Sequence, residues 1–231
     1  LNVPDYGTED VAEHAWALLL SLNRSIPLYQ EMLLNNIQKN WVAAIGGYIP
    51  RLSGKMMGIV GMGRIGTAMA MRAKSFGMDV IFYDPYVQDG YDKSIQCKRI
   101  ERLEELFRKS DFVSLHTLLT NETEGMINDD VLMHCKENLM LINTSRGKVV
   151  KNISVYNALK TGRLRAFGED VLEKEPPDEV NDKLIKAYVN QEKFIQNRML
   201  LTPHAAFYAE ESRVEMRYKA AEAVKRMIDG L

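Results

Sequence analysis

Apolar residues recur at two different periods along this chain, and the change of period divides it. From Thr8 to Asn36 the spacing is helical. Val11, Ala15, Leu18, Leu19 and Leu22 fall on one face, with Thr8 as the expected N-cap and Glu9 and Asp10 in the first turn. Pro27 suits the opening of a second helical segment, in which Leu28, Met32, Leu33 and Ile37 again recur at three and four. A loop over 46–55 follows. Beyond it, short apolar runs alternate with helical stretches, which predicts a parallel sheet with helices on both faces. Strands are expected at 57–60, 80–83, 112–115, 140–143, 165–169 and 199–201. Helices are expected near 65–76, 100–109, 130–135, 154–161 and 209–229. The polar segment 86–98 reads as a surface loop, and 173–196 as a charged connection with one short helix near 183–189.

The first of these strands runs into Gly61-Met62-Gly63-Arg64-Ile65-Gly66. Gly61 permits a tight turn out of the strand. Gly63 lets a pyrophosphate approach the backbone, and Gly66 lets the next helix pack close to the sheet. The amides opening that helix face the phosphates, with the positive end of its dipole behind them. A glycine hexapeptide alone is weak evidence. Here the second strand ends in Asp84, roughly twenty residues on, where a dinucleotide site needs a carboxylate for the adenosine ribose. The fold class that follows is α/β, a Rossmann-type doubly wound parallel sheet with flanking helices and an added N-terminal helical region.

Composition removes several alternatives. With 30 basic and 31 acidic side chains the net charge is -1, so nothing favours direct nucleic-acid binding or an acidic membrane surface. The longest apolar run, 11–22, is interrupted by Glu13 and His14 and stops at Asn23, short of a membrane span. Cys97 and Cys135 lack metal-ligand spacing and read as reduced thiols of a cytoplasmic protein. No metal site is expected.

Three polar sites sit where strands should end, the edge at which open α/β sheets bind ligands. The first is Asn143-Thr144-Ser145-Arg146-Gly147, whose arginine is suited to a bidentate grip on a carboxylate; the alternative is a surface ion pair. The second is 168–176, in which Asp170 and Glu175 are the acids of interest, with Glu173 and Lys174 solvated. The third is Thr202-Pro203-His204. A lone histidine near a core is more often structural, and an acidic partner reverses that reading by fixing its tautomer and poising it as a proton donor.

The order of these motifs resembles the D-isomer-specific 2-hydroxyacid dehydrogenases, a family that includes phosphoglycerate, glycerate and D-lactate dehydrogenases and the C-terminal-binding-protein corepressors. The resemblance spans almost the whole chain and rests on the glycine turn, Tyr83-Asp84-Pro85, His116-Thr117-Leu118-Leu119-Thr120 with Thr123, Asn143–Gly147, Glu173–Pro176 and Thr202-Pro203-His204. It implies NAD as cofactor, with Arg64 and Ile65 at the pyrophosphate and Asp84 at the adenosine ribose. Thr117, Leu118, Thr144 and Ser145 would line the cofactor, and Asp170 would meet the nicotinamide carboxamide. It also implies Arg146 as holder of the substrate carboxylate and carbonyl, His204 as acid/base and Glu175 as its partner, for interconversion of a D-2-hydroxy acid and its 2-keto acid. Asp84 would repel a 2′-phosphate, favouring NAD over NADP.

The resemblance divides the chain into linking helices and loop over 1–54, at the edge of a substrate domain, an NAD-binding domain over 55–205, and a C-terminal helix over 206–231 returning toward the substrate domain. Family members carry a further segment ahead of the equivalent of Asn2. The expectation is therefore a chain that binds NADH with little or no turnover by itself. Trp16, Trp41 and the leucines of the first helices fit a homodimer interface; the alternative is packing against their own sheet. Two departures stand out. Leu118 replaces a proline, and Glu169 replaces an apolar residue and is expected to face solvent or the neighbouring domain. An NADH-responsive corepressor-like binding protein is the competing reading. Formate dehydrogenase fits less well, because it has an amide where Glu175 stands. Nothing here selects among lactate, glycerate, phosphoglycerate or a bulkier acid.

Overall fold

The computed structural model describes residue 3 and residues 5–229. Two helices, α1 (Thr8–Asn23) and α2 (Ile26–Asn35), precede the sheet. Then come β1 (Met56–Val60), α3 (Arg64–Ser75), β2 (Asp79–Tyr83), α4 (Tyr91–Ser94), β3 (Lys98–Arg99) and α5 (Leu103–Lys109). The chain continues through β4 (Phe112–Leu115), α6 (Asp129–Leu132), β5 (Leu139–Asn143), α7 (Asn152–Lys160) and β6 (Leu164–Glu169). It ends with α8 (Lys183–Val189), β7 (Met199–Leu201) and α9 (Glu210–Ile228). The strands form one sheet in the order β3-β2-β1-β4-β5-β6-β7, every pair parallel. Among the described residues no helix is long and apolar enough to cross a membrane.

Both faces of the sheet are covered, as the unbroken apolar strands require. One layer packs Trp16, Leu18, Leu19 and Leu22 of α1 and Met69 and Ala73 of α3 against Met57, Ile59, Phe82 and Ile142. The other packs Leu106, Phe107, Val155, Leu159 and Leu184 against Val113, Leu141 and Phe167. Trp16 is thus core, only 6% exposed, and is not available to an interface, whereas Trp41 is 75% exposed. No residue of α2 is buried. Cys97 and Cys135 are free and buried, and burial pushes the Cys135 thiol up to about 11.

Several local expectations need correction. Thr8 does not cap α1: Gly7 holds the cap position, and the Thr8 hydroxyl donates to the Asp5 carbonyl at 3.2 Å. Segment 86–98 is not all loop, since it contains α4 and the start of β3. That strand pairs through only two residues, too few for any periodicity to register. Helix α5 starts at Leu103 rather than at residue 100, because Ile100 is buried and its N–H extends the ladder to Phe82 O at 2.7 Å. The helix expected at 130–135 is a single turn, capped by Asn128, whose side chain accepts from Val131 N at 3.2 Å.

Register aligns the strand ends. Val60 pairs with both Tyr83 and Leu115, Leu115 with Asn143, Asn143 with Glu169, and Glu169 with Leu201. The six residues that follow, Gly61, Asp84, His116, Thr144, Asp170 and Thr202, therefore form one rim. A bulge makes this possible. Leu139 pairs with Leu164 but Met140 with Ala166, so Arg165 is an extra residue in β6. The Arg198 guanidinium donates to the carbonyls of Arg165, at 2.9 Å, and Leu164, satisfying acceptors the bulge would otherwise strand.

Glu169 does not face solvent. It is fully buried at the end of β6, and neither carboxyl oxygen has a hydrogen-bond partner. Desolvation raises its pKa well above 4.5, the Asp182 carboxylate adds to the effect, and the Asn143 side chain opposes it. The unfolded chain loses this proton near the ordinary value, while the folded chain keeps it. The contribution to stability is therefore whole below pH 4.5 and is lost as pH rises toward the folded value. In a pH series of Tm measurements, Glu169→Gln should flatten the decline above pH 4.5; a decline as steep as in the parent would assign it to other groups.

Candidate active site

The rim opens on a cleft of about 670 Å³ that reaches from the start of α3 to the turn after β7. At its floor the chain leaves β1 through Gly61, with φ at 88°. A Cβ there would meet the His116 carbonyl oxygen at 2.7 Å, so conformation and space both demand glycine. At Gly66 a Cβ would drive into the Gly61 carbonyl, so a side chain would push α3 off its strand. Gly63 is different: its Cβ position is open, with no atom within 4 Å. Arg64 and Ile65 open α3 and line the cleft beside it.

Asp84 braces this turn from the neighbouring strand. One carboxylate oxygen accepts from Met62 N at 2.8 Å and the other from Tyr86 N at 2.9 Å. Each oxygen retains a second lone pair for an outside hydroxyl. Across the switch point between β1 and β4 lie His116, Thr117 and Leu118, the last 77% exposed. His116 Nε2 bonds Ser114 Oγ at 2.9 Å, and burial depresses its pKa to about 3, leaving a neutral ring at neutral pH. His116 Nδ1 and the hydroxyls of Thr117 and Thr144 have no hydrogen-bond partner in the folded chain. All three residues line the cleft. An open phosphate-sized space at a helix start, flanked by unpartnered polar atoms, fits a dinucleotide.

After β5, Asn143 shapes the next turn. Its Oδ1 accepts both Ser145 N at 3.1 Å and Ser145 Oγ at 2.8 Å, and its amide donates to Arg146 O at 3.3 Å. The Ser145 hydroxyl is therefore committed within the protein. Arg146 is exposed in the cleft, and its guanidinium donates to its neighbour's carbonyl, Ser145 O, at 2.6 Å. None of the ion pairs found among the described residues includes Arg146.

His204 has the acid partner that its reading required. Its Nδ1 lies 2.7 Å from Glu175 Oε2, while Glu175 Oε1 accepts from Leu172 N at 2.9 Å. A carboxylate hydrogen-bonded at Nδ1 sets the ring so that Nε2 is the free nitrogen. His204 adopts a positive φ of 52°, held by donation of its N–H to Asp170 O at 2.8 Å. Phe207 packs edge-on against the ring, centroids 6.1 Å apart.

Asp170 is 1% exposed and serves its own protein heavily. It accepts from Ala205 N and Ala206 N, both at 2.9 Å, and from Thr202 Oγ1 at 2.6 Å. Thr202 entered the sequence reading only as part of a motif. Among the described residues no cluster of three or more His, Cys, Asp or Glu is arranged to hold a metal ion.

Comparison with known proteins places this geometry in context. The family model for the D-isomer specific 2-hydroxyacid dehydrogenase, NAD binding domain, matches residues 16–206. A glyoxylate reductase of Korarchaeum cryptofilum is 39% identical over 228 residues, which cover 96% of this chain and 63% of the relative. The chain thus spans less than two thirds of that protein. C-terminal-binding protein 1 of Caenorhabditis elegans is 33% identical over 99% of this chain and 31% of its own length. Among solved structures, D-lactate dehydrogenase of Aquifex aeolicus, complexed with NAD and lactic acid, superposes with a TM-score of 0.82 at 31% identity. It covers 99% of this chain and 68% of its own.

The open space at Gly63 separates ligand binding from folding. Gly63→Ala should leave Tm within experimental error of the parent, because the added Cβ meets no atom within 4 Å in the folded chain. It should weaken NADH, followed by fluorescence titration, by about tenfold or more, an interaction loss near 1.4 kcal/mol. Unchanged affinity would place the phosphates elsewhere.

Proposed function

The chain belongs to the D-isomer specific 2-hydroxyacid dehydrogenases, and from that membership we propose that it is the NAD-binding part of an enzyme that interconverts a D-2-hydroxy acid and its 2-keto acid. The observation that carries this reading is the 2.7 Å contact between His204 Nδ1 and Glu175 Oε2, made on the same rim as Arg146 and the glycine turn. The proposed division of the chain is linking helices over 1–54, the cofactor domain over 55–205 and a returning helix over 206–231.

When bound, the nicotinamide supplies or accepts the hydride. The protein's part is orientation and proton transfer. Arg146 grips the substrate carboxylate and carbonyl oxygen; its planar fork suits both. His204 Nε2 gives a proton to the oxygen as negative charge develops there, and takes it back in the oxidation. Glu175 holds the tautomer and stabilises the imidazolium. Asp84 holds the adenosine ribose and disfavours a 2′-phosphate, while Thr117, Leu118, Thr144 and Ser145 line the cofactor and Asp170 meets its carboxamide. Arg64 and Ile65 present their amides to the pyrophosphate. The proposed location is the cytoplasm. A second copy of the chain is the proposed protein partner, seated on the exposed Leu34, Ile37 and Trp41 beyond α1.

The kinship with C-terminal-binding protein 1 supports a second reading, an NADH-responsive corepressor-like assembly protein. A panel of 2-keto acids, including glyoxylate and pyruvate, assayed with NADH on the full-length protein separates the two. We expect turnover, with Arg146→Ala and His204→Ala each lowering kcat/KM by about a hundredfold or more. A full-length protein that binds NADH tightly yet reduces no acid in the panel would favour the assembly reading.

A further inference from the structure

Asp170 clamps the turn that carries His204, and that clamp has a second anchor outside the sheet. Thr202 Oγ1 lies 2.6 Å from Asp170 Oδ1 and 2.9 Å from His14 Nε2. A threonine hydroxyl has one hydrogen, and the carboxylate is an acceptor only. The hydroxyl therefore donates to Asp170 and accepts from His14, which requires the proton of the His14 ring to be on Nε2. The same nitrogen stands 3.5 Å from Asp170 Oδ1. His14 comes from the middle of α1, more than 180 positions before Thr202, and its side chain is only 25% exposed. Flanking positions Ala12, Ala15 and Leu18 are apolar core. Polar chemistry at this place in the helix serves the hydrogen bond, since packing alone would take another apolar residue.

We propose that His14 is a positioning residue for His204, acting through Thr202 and Asp170. Its Nε2–H fixes the rotation of the Thr202 hydroxyl. That in turn keeps Asp170 aligned to receive the amides of Ala205 and Ala206 and holds His204 in its positive-φ conformation. The helix α1 is thereby tied mechanically to the proton donor. This role rests on the dehydrogenase reading of the site, but the tautomer it demands does not.

Two substitutions and one spectrum test it. His14→Leu removes the donor at similar size, and His14→Gln returns an amide N–H near the Nε2 position. In the full-length protein, His14→Leu should lower kcat for 2-keto acid reduction by about tenfold, the scale of one hydrogen bond, with KM and NADH affinity unchanged. His14→Gln should recover most of the loss. Ring nitrogen NMR of the parent should show His14 as the Nε2–H tautomer, with a signal that moves in Thr202→Val. An Nδ1–H tautomer would overturn the proposal, as would a parental kcat in His14→Leu. Equal losses in the Leu and Gln variants, in step with falling Tm, would assign His14 to folding and also overturn it. If the parent binds NADH but reduces no keto acid, the dehydrogenase reading fails and the tautomer still decides for or against the hydrogen-bond chain.

Discussion

In-line register of the parallel strands is the constraint on which the rest of this protein depends. Val60, Tyr83, Leu115, Asn143, Glu169 and Leu201 are held level by backbone hydrogen bonds. The residue after each is released at the same height. A parallel sheet buried on both faces tolerates no slip, because a one-residue shift turns every side chain to the opposite layer. Chain segments more than a hundred residues apart thus deliver Gly61, His116, Thr144 and Asp170 to a common edge without contacting one another in sequence. The site owes its accuracy to the core beneath it.

Above that edge the polar groups divide by what they have already spent. Asn143, Ser145 and Asp170 direct their hydrogen bonds inward and shape turns. Thr117, Thr144 and the outer nitrogen of His116 have none and remain free for a ligand. Buried polar atoms are seldom left unpaired in a native protein, so their concentration along one cleft marks where a partner belongs. Trp16 Nε1, Asn152 Oδ1 and Arg165 Nε are unpaired away from the cleft, as is Glu169, which faces the core and resolves the conflict by keeping its proton.

Much of this was legible from residue order. The glycine turn, Asp84 and the alternation of apolar runs carry local signatures, so six strands and the cofactor edge are legible in the sequence. The Glu175–His204 pair was accessible only through family likeness, since nothing local links two residues on separate loops. Strand β3 carries no signature because two residues hold no period, and the sequence leaves Trp16 open between an interface and its own sheet, although it shares a helix face with Leu19, which is core. His14 looked like an interruption of an apolar run. A polar residue on the buried side of an amphipathic helix was the available signal, but its partner lies at the far end of the chain. Glu169 was misread because composition favours acids outside, and no sequence pattern announces a carboxyl that stays protonated.

The bulge at Arg165 has a consequence for how this framework tolerates length change. Were Arg165 paired in regular register instead of bulged out, Asn143 would sit opposite Gly168, and the acid that clamps the last turn would stand one step of about 3.3 Å too high. The bulge acts as a shim, taking up one residue at the base of β6 so that the top comes out flush. Insertions and deletions in the loops below the sheet are then absorbed before they reach the rim. Those within β6 itself are not, and the spacing from Arg165 to Asp170 is the stretch of chain least free to drift.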